Sequence, residues 1–460
     1  MKRLNKELDG VVGNLRGMRF PELVGVFSQW LSPEAVAVRA DSRERIYTDT
    51  RTFWMYLGQI VRGNLACDAI ILDALEWLKA ATGRTAISTN SSGYTQARER
   101  LPTEMIRQVR EQINERMPRG PLFHGHAVKQ FDGTGLTMTD TEANRQAYPD
   151  HPSSKKHSGF PALNLMGAFD WFSGVLLDWT TGDVTNDEKR LFMNLWPGLN
   201  RGDLVNGDRG FCGFGLFWWL QHHRGVDCVT RLHARRKHRR VVRILGPNDL
   251  LVAWAKPKIP PTWLSLEEWQ SAPEELVVRE ISADVSDFGF RTRHITIVTT
   301  LLDESISAQD WLDLYRRRWG VEVNFRDLKI TMGMDILKCK TPAMIEKEVN
   351  LFILVYNLIR LIMWEAAERH NVPVAQISFR STMYAIGVWG RHLVHANTPQ
   401  EIDRLLRDFY QAIAYRRRRN RLCRSEPRAR KRRNKNYQLL CGDRHSFREV
   451  PHRGKRAEGA

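Results

Sequence analysis

Residues 315–329 read YRRRWGVEVNFRDLK. Tyr315, Arg318, Glu322 and Lys329 stand in it at the spacing Tyr-x2-Arg-x3-Glu-x6-Lys. On a helix advancing about 100° per residue, they fall at about 0°, 300°, 340° and 320°, one face roughly 60° wide. One carboxylate therefore shares a face with two cations and a phenol. Such a face can hold a metal ion against a phosphodiester, with Glu322 as ligand and Arg318, Lys329 and Tyr315 on phosphate oxygens. A plain solvated face, with Arg318 and Glu322 as an i,i+4 pair, has the same pattern. The rest of the chain decides between them.

The chain has 460 residues, too many for one compact core, so two or three structural units are expected. Its net charge is +18, and the distribution is uneven. From Arg416 onward there are 17 Lys or Arg against 4 Asp or Glu, which puts +13 of the +18 in the last 45 residues. A polyanion, and nucleic acid above all, is the expected partner. Six cysteines without any CxxC pair fit free thiols in a reducing compartment and offer no zinc site. The first ten residues, MKRLNKELDG, lack the apolar core of a signal peptide. The longest apolar run, 351–364, is broken by Asn357 and Arg360 and is too short to span a bilayer. A soluble cytoplasmic protein with no membrane partner is expected.

Residues 1–118 read as a helical unit. Segments 50–62 and 66–81 are apolar-periodic and meet at Gly63-Asn64-Leu65, as in a helix-turn-helix or an ordinary helical hairpin. A third helix is expected over 102–115, behind small polar residues and arginines that could meet a phosphate backbone. The breaker cluster 117–121 marks the first boundary. Strands are expected over 126–131, ending at Asp132-Gly133-Thr134, and over 162–169 and 171–179, together an antiparallel set of three. A helix over 185–196 follows, then 204–211, where a short apolar run leads to an Asp between two glycines, and a strand at 227–232, giving a first core part over 119–234. Residues 235–286 read as a β-rich insertion. Trp254, Trp263 and Trp269 lie in it, for packing or for stacking on a DNA base. The core resumes over 287–372, with a strand at 295–302, a helix capped by Ser307 and an apolar helix over 345–367. A helical region over 373–415 and a flexible basic tail over 416–460 complete the chain.

Three acids stand out by context: Asp132 and Asp208 after strands, and Glu322 on a helix. Two divalent metals about 3.5–4 Å apart need two or three carboxylates converging from different elements. Asp140, Asp150, Asp170 and Asp203 compete for the same roles.

The chain resembles the bacterial insertion-sequence transposases with a DDE active site and the Tyr-Arg-Glu-Lys signature. Tyr315, Arg318, Glu322 and Lys329 match that signature at every spacing. Asp132-Gly133-Thr134 matches the first acidic motif, and the Gly-Asp-Arg-Gly-Phe of 207–211 matches the second. The resemblance covers roughly 128–360, with looser likeness at the N-terminal helices and at 433–440. It implies an α/β, RNase H-like fold: a five-stranded mixed sheet with flanking helices, the β-rich insertion and the N-terminal helical domain. It also implies that Asp132, Asp208 and Glu322 are catalytic and bind two Mg²⁺ ions, with Mn²⁺ able to substitute. Tyr315, Arg318 and Lys329 would hold DNA phosphates. The implied activity is metal-dependent cut-and-paste cleavage and strand transfer at terminal inverted repeats, through a hairpin intermediate. The implied partners are those repeats and target DNA, bound by a homodimer in a paired-end complex associated with the bacterial nucleoid.

Two other readings are compatible with the motifs. One is an RNase H-like nuclease, the other a DNA-binding protein that has lost its chemistry. The N-terminal helices and the insertion count against the first, and the three intact acids count against the second.

Overall fold

The strand that organises the molecule is β1 (Val128–Met138). It is flanked on one side by β2 (Ala162–Asp170) and then β3 (Leu176–Asp183), both antiparallel, as expected from the sequence. On its other side lie β4 (Leu204–Asn206) and β5 (Asp227–Arg231), both parallel. This computed structural model describes residues 45–418 apart from 118, 151–158, 187, 234, 235, 237, 238 and 285–293, and also 26, 27, 31 and 446. Most of the basic tail, with Cys423 and Cys441, lies outside the described residues.

The strands of the insertion, β6 (Arg239–Gly246), β7 (Asp249–Ala255) and β8 (Glu275–Asp284), extend the same sheet, and β9 (His294–Thr299), the strand expected at 295–302, joins them to it. The sheet runs β3-β2-β1-β4-β5-β9-β8-β7-β6, and a tenth strand, β10 (Ile336–Leu337), pairs with β1. The five strands implied by the resemblance are thus half of a larger sheet. The continuation is physical: β5 pairs antiparallel with β9, and β9 with β8, so the insertion leaves and re-enters through strands hydrogen-bonded to the core.

β1 does not end at Asp132. It runs on to Met138, because Asp132 to Thr137 keep their ladder to β2. The opposite edge of β1 behaves differently. There β4 pairs only with Val128 to Gln130, and β10 only with Thr137 and Met138. Between those pairings the edge is open, and Asp132 lies in the opening.

The described helices fall into three groups. α1 (Asp49–Val61), α2 (Cys67–Thr82), α3 (Ser92–Arg100) and α4 (Thr103–Glu115) form the N-terminal unit. α5 (Glu142–Ala147), α6 (Glu188–Asn194), α7 (Phe214–Trp219) and α8 (Leu266–Ser271) are short connectors between strands. α9 (Ala308–Arg317), α10 (Trp319–Arg326) and α11 (Pro342–His370) follow β9, and α12 (Phe379–His395) and α13 (Pro399–Tyr415) end the described chain. Ser307 caps α9 as expected, its Oγ accepting from Asp310 N at 3.1 Å.

One apolar core joins the N-terminal helices to α11. α11 is long and apolar enough to cross a membrane, but its apolar residues are buried inside the protein. Polar contacts tie the same units. Asn64 donates to Glu348 at 3.2 Å, and Lys347 donates to Glu99 O at 2.6 Å. Arg98 is buried with one guanidinium nitrogen 3.1 Å from Cys67 Sγ and the other 3.2 Å from Cys339 Sγ. Trp254 and Trp269 are buried in a second core between the sheet and α7, and Trp263 packs against its edge. Their packing reading holds, since a base could reach the first two only through the core.

Candidate active site

The register of β1 and β4 builds the site. Gln130 and Asn206 are paired across the two parallel strands. Side chains alternate between faces along a strand. Asp132 therefore shares the face of Gln130 and lies two residues beyond it, while Asp208 follows Asn206 by the same interval. β4 has ended by then, and Asp208 opens a short helical turn, its Oδ1 accepting from Gly210 N at 2.6 Å. Asp132 Oδ1 accepts from Gly133 N at 2.9 Å.

Glu322 arrives from the helix side. The 315–329 segment is not one continuous helix as expected. α9 closes at Arg317 with a tight turn in which Arg318 N donates to Tyr315 O, and α10 resumes at Trp319. A wider helical turn then spans Asp327–Thr331 and carries Lys329. The break suits the packing: α10 lies over β1, where a Cβ on Gly320 would sit 3.9 Å from Gln130 Oε1.

Arg318 connects the acids. Its Nη2 donates to Glu322 Oε1 at 3.0 Å, and its Nη1 lies 4.0 Å from Asp132 Oδ2. Lys329 Nζ crosses to the open edge of β1, donating to Thr134 Oγ1 at 3.0 Å and Gly135 O at 2.7 Å. Tyr315 is held near Arg318 and Asp208; burial raises its phenol above the ordinary value, and the Asp208 charge adds to that. All six residues singled out in the sequence thus border one region of the sheet.

The electrostatics favour a cation. Burial pushes the Asp132 carboxyl up to about 6, and the charges of Asp208 and Glu188 add to this. Arg318 and the Gly133 N–H pull the other way without cancelling it. Glu188, the first residue of α6, is an acid that sequence reasoning passed over. A Cβ on Gly133 would lie 2.9 Å from its Oε1, so glycine at 133 lets that carboxylate approach β1. Nothing in its local sequence marks it; the approach comes from the β3–α6 connection.

The competing acids have structural partners instead. Asp140 and Asp150 bind Arg145, at 2.5 and 3.8 Å. Asp170 accepts from Ser173 N and Oγ at 2.6 and 2.7 Å, closing the β2–β3 turn. Asp203 pairs with Lys129 at 2.6 Å.

Among the described residues, no three His, Cys, Asp or Glu side chains are gathered as a metal cage. Asp132 and Glu322 flank the Arg318 guanidinium instead. The donor set nevertheless fits a hard divalent cation: it is all carboxylate oxygen, one member is held against its own ionisation by burial, and an organic cation already bridges two members.

Comparison with known proteins identifies the chain as a DNA transposase of the insertion-sequence type. The chain belongs to the Transposase DDE domain family, whose model matches residues 124–358. It is 27% identical over 328 residues to the transposase InsG for insertion sequence element IS4 of Escherichia coli strain K12, covering 69% of this chain and 71% of that protein. A shorter match, 35% identical over 51 residues, joins it to the transposase for insertion sequence element IS421 of Escherichia coli and spans 14% of that protein. Among solved structures, the piggyBac transposase synaptic complex with hairpin DNA aligns with a TM-score of 0.40 and 12% identity, over 86% of this chain and 83% of that one.

Proposed function

We propose that the protein binds the terminal inverted repeats of its own insertion sequence and performs metal-dependent cut-and-paste strand cleavage and strand transfer. The observation that supports this is that Asp132 and Asp208 each follow by two residues a residue of the paired row Gln130–Asn206, with Arg318 between Asp132 and Glu322. Asp132, Asp208 and Glu322 are the residues that would hold two Mg²⁺ ions, or Mn²⁺ in their place. Bound there, the ions would supply Lewis acidity to the attacking and leaving oxygens of an in-line displacement.

The chain's own groups do the rest. Arg318 and Lys329 grip the phosphate oxygens as charge develops on them, and Tyr315 orients the backbone beside the cut. Arg318 moves from carboxylate to phosphate when DNA and metal enter, which frees Glu322. Water first displaces the 3′ oxygen at the element end as a free hydroxyl. That hydroxyl attacks the phosphodiester of the opposite strand, closing a hairpin as the 3′ oxygen of the flanking DNA leaves. A second water opens the hairpin and regenerates the 3′ hydroxyl, which attacks a target phosphodiester and expels the target's 3′ oxygen. The core over 119–234 and 287–372, interrupted by 235–286, is RNase H-like in this reading. The N-terminal unit over 1–118 reads the repeat, and the tail over 416–460 adds salt-sensitive affinity. The complex on paired ends is a homodimer.

The test is cleavage of a labelled duplex carrying the flanking terminal repeat, by wild type and Glu322→Gln, in Mg²⁺ and in EDTA. Metal-dependent nicking at the repeat boundary that Glu322→Gln loses is the expected result. Specific binding by wild type without cleavage in Mg²⁺ would overturn the catalytic reading.

A further inference from the structure

Two amides lie on the sheet face directly before the aspartates. Gln130 and Asn206 pair across β1 and β4, each two residues ahead of its aspartate. They are 1% and 0% exposed. Gln130 Nε2 and both side-chain heteroatoms of Asn206 have no hydrogen-bond partner among the described residues. An amide buried in this way lowers stability, and folded proteins rarely tolerate it. The same row of the sheet accepts an apolar side chain one strand further on, where Val229 of β5 pairs with Asn206 and is fully buried. Packing alone therefore does not call for amides here. They occur in the row on the two strands that lead to the acids.

Each aspartate already has one oxygen held by a main-chain N–H, Asp132 by Gly133 and Asp208 by Gly210. A carboxylate fixed by one contact still swings. A metal ligand needs a second contact to keep its free oxygen aimed, and such outer partners normally decide metal affinity as well as geometry. Gln130 is poised for this, since α10 covers its Oε1 two residues before Glu322.

We propose that Gln130 and Asn206 are positioning residues for the metal site. Their amide N–H groups donate to the carboxylates of Asp132 and Asp208 when metal loads, adding the second fixed contact to each. This rests on the two-metal reading of Asp132, Asp208 and Glu322. Asn206 and Gln130 do not touch the DNA or the metals themselves. The unpartnered amides of the metal-free protein are then a cost in stability that metal loading recovers.

The experiment is a Mn²⁺ titration of the full-length protein, read by calorimetry and by thermal shift, without DNA. Wild type is compared with Asn206→Leu, Gln130→Met and Asn206→Ser. Asn206→Leu and Gln130→Met are expected to melt no lower than wild type in EDTA, yet to need about 10–100-fold more Mn²⁺ for half-saturation. Asn206→Ser leaves space but keeps a hydroxyl donor, so it is expected to melt lower and hold a Mn²⁺ midpoint nearer wild type. A purely structural role would give the reverse ranking. Equal Mn²⁺ midpoints in wild type, Asn206→Leu and Gln130→Met overturn the positioning role and leave the two-metal reading standing. Wild type that takes up no Mn²⁺ overturns both. Should Asn206→Leu fail to fold, Gln130→Met and Asn206→Ser carry the same comparison.

Discussion

Arg318 donates to Glu322 across one helical turn, Nη2 to Oε1 at 3.0 Å, while its other terminal nitrogen lies 4.0 Å from Asp132 Oδ2. One guanidinium thus neutralises two acids that belong to different elements. In the proposed mechanism it competes with a metal for them and serves phosphate once displaced. Arg318→Ala is therefore expected to split two properties. Mn²⁺ binding by the DNA-free protein tightens about tenfold, because a nearby positive charge is gone. Cleavage at saturating metal falls about 100-fold, because a donor to the developing charge is gone. Calorimetry and single-turnover cleavage measure the two, and weaker Mn²⁺ binding in the variant would contradict the competition.

Asp132 contributes to the pH dependence of the metal-free protein's stability. Its carboxyl is raised to about 6 in the folded state by burial, against about 3.9 for an ordinary aspartate. The folded state therefore holds the proton more tightly. Its contribution to stability is complete below about pH 4 and is lost as pH rises through 6, in total about 3 kcal/mol. Asp132→Asn removes that loss. In EDTA, its stability advantage over wild type should grow from pH 4 to 6.5 and level off above. Urea denaturation across that range measures it, and an advantage that shrinks with pH would contradict the assignment.

The candidate residues were legible in the sequence because their spacing is local. Tyr315, Arg318, Glu322 and Lys329 lie within one segment, Asp132 precedes Gly133, and Asp208 stands between the two glycines of a Gly-Asp-Arg-Gly motif. What the sequence hid is mostly non-local. β1 reads as ending at Asp132-Gly133-Thr134, because glycine and a charge look like a turn; its ladder to β2 carries it on to Met138. The insertion reads as a separate unit because proline and charge interrupt it, yet β8 and β9 join it to β5. The four competing acids cannot be sorted without their partners, and Arg145 and Lys129 are far from obvious as those partners. The break at Arg318 follows from the packing of α10 on β1 and has no glycine or proline inside 315–318 to announce it.

Arg360 anchors the helix that carries Glu322. It sits buried on α11, with Nη2 donating to Asn324 Oδ1 at 2.8 Å and Nε donating to Gly174 O at 3.3 Å. Gly174 has φ +68°, and a Cβ there would come within 1.7 Å of Arg360 Nη2. Gly174→Ala is therefore expected to cost about 3 kcal/mol, from backbone strain and from displacing a buried cation. Arg360→Met keeps most of the volume and loses the anchor, so cleavage should fall more than 10-fold with a smaller stability loss. Denaturation and cleavage measured together check the pair. Gly174→Ala with wild-type stability would show that Arg360 moves aside freely.

The N-terminal unit offers a test of end recognition that does not require deleting it, which would strip the core it shares with α11. A cleft of about 650 Å³ opens where α2 ends and α3 begins, and Arg45, Arg84, Arg100, Asn90 and Gln96 line it. Gly83, at φ +67°, turns the chain out of α2 and sets Arg84 on the rim. Three cations, two amides and the start of a nine-residue helix suit a DNA backbone. Arg84→Glu and Arg100→Glu are each expected to weaken binding to the terminal repeat about tenfold. Each should also lower the slope of log affinity against log salt by about 1, the signature of one lost phosphate contact. Melting temperatures should change little, because neither side chain lies in the core. Unchanged affinity and salt slope in both variants would place end recognition elsewhere in the protein.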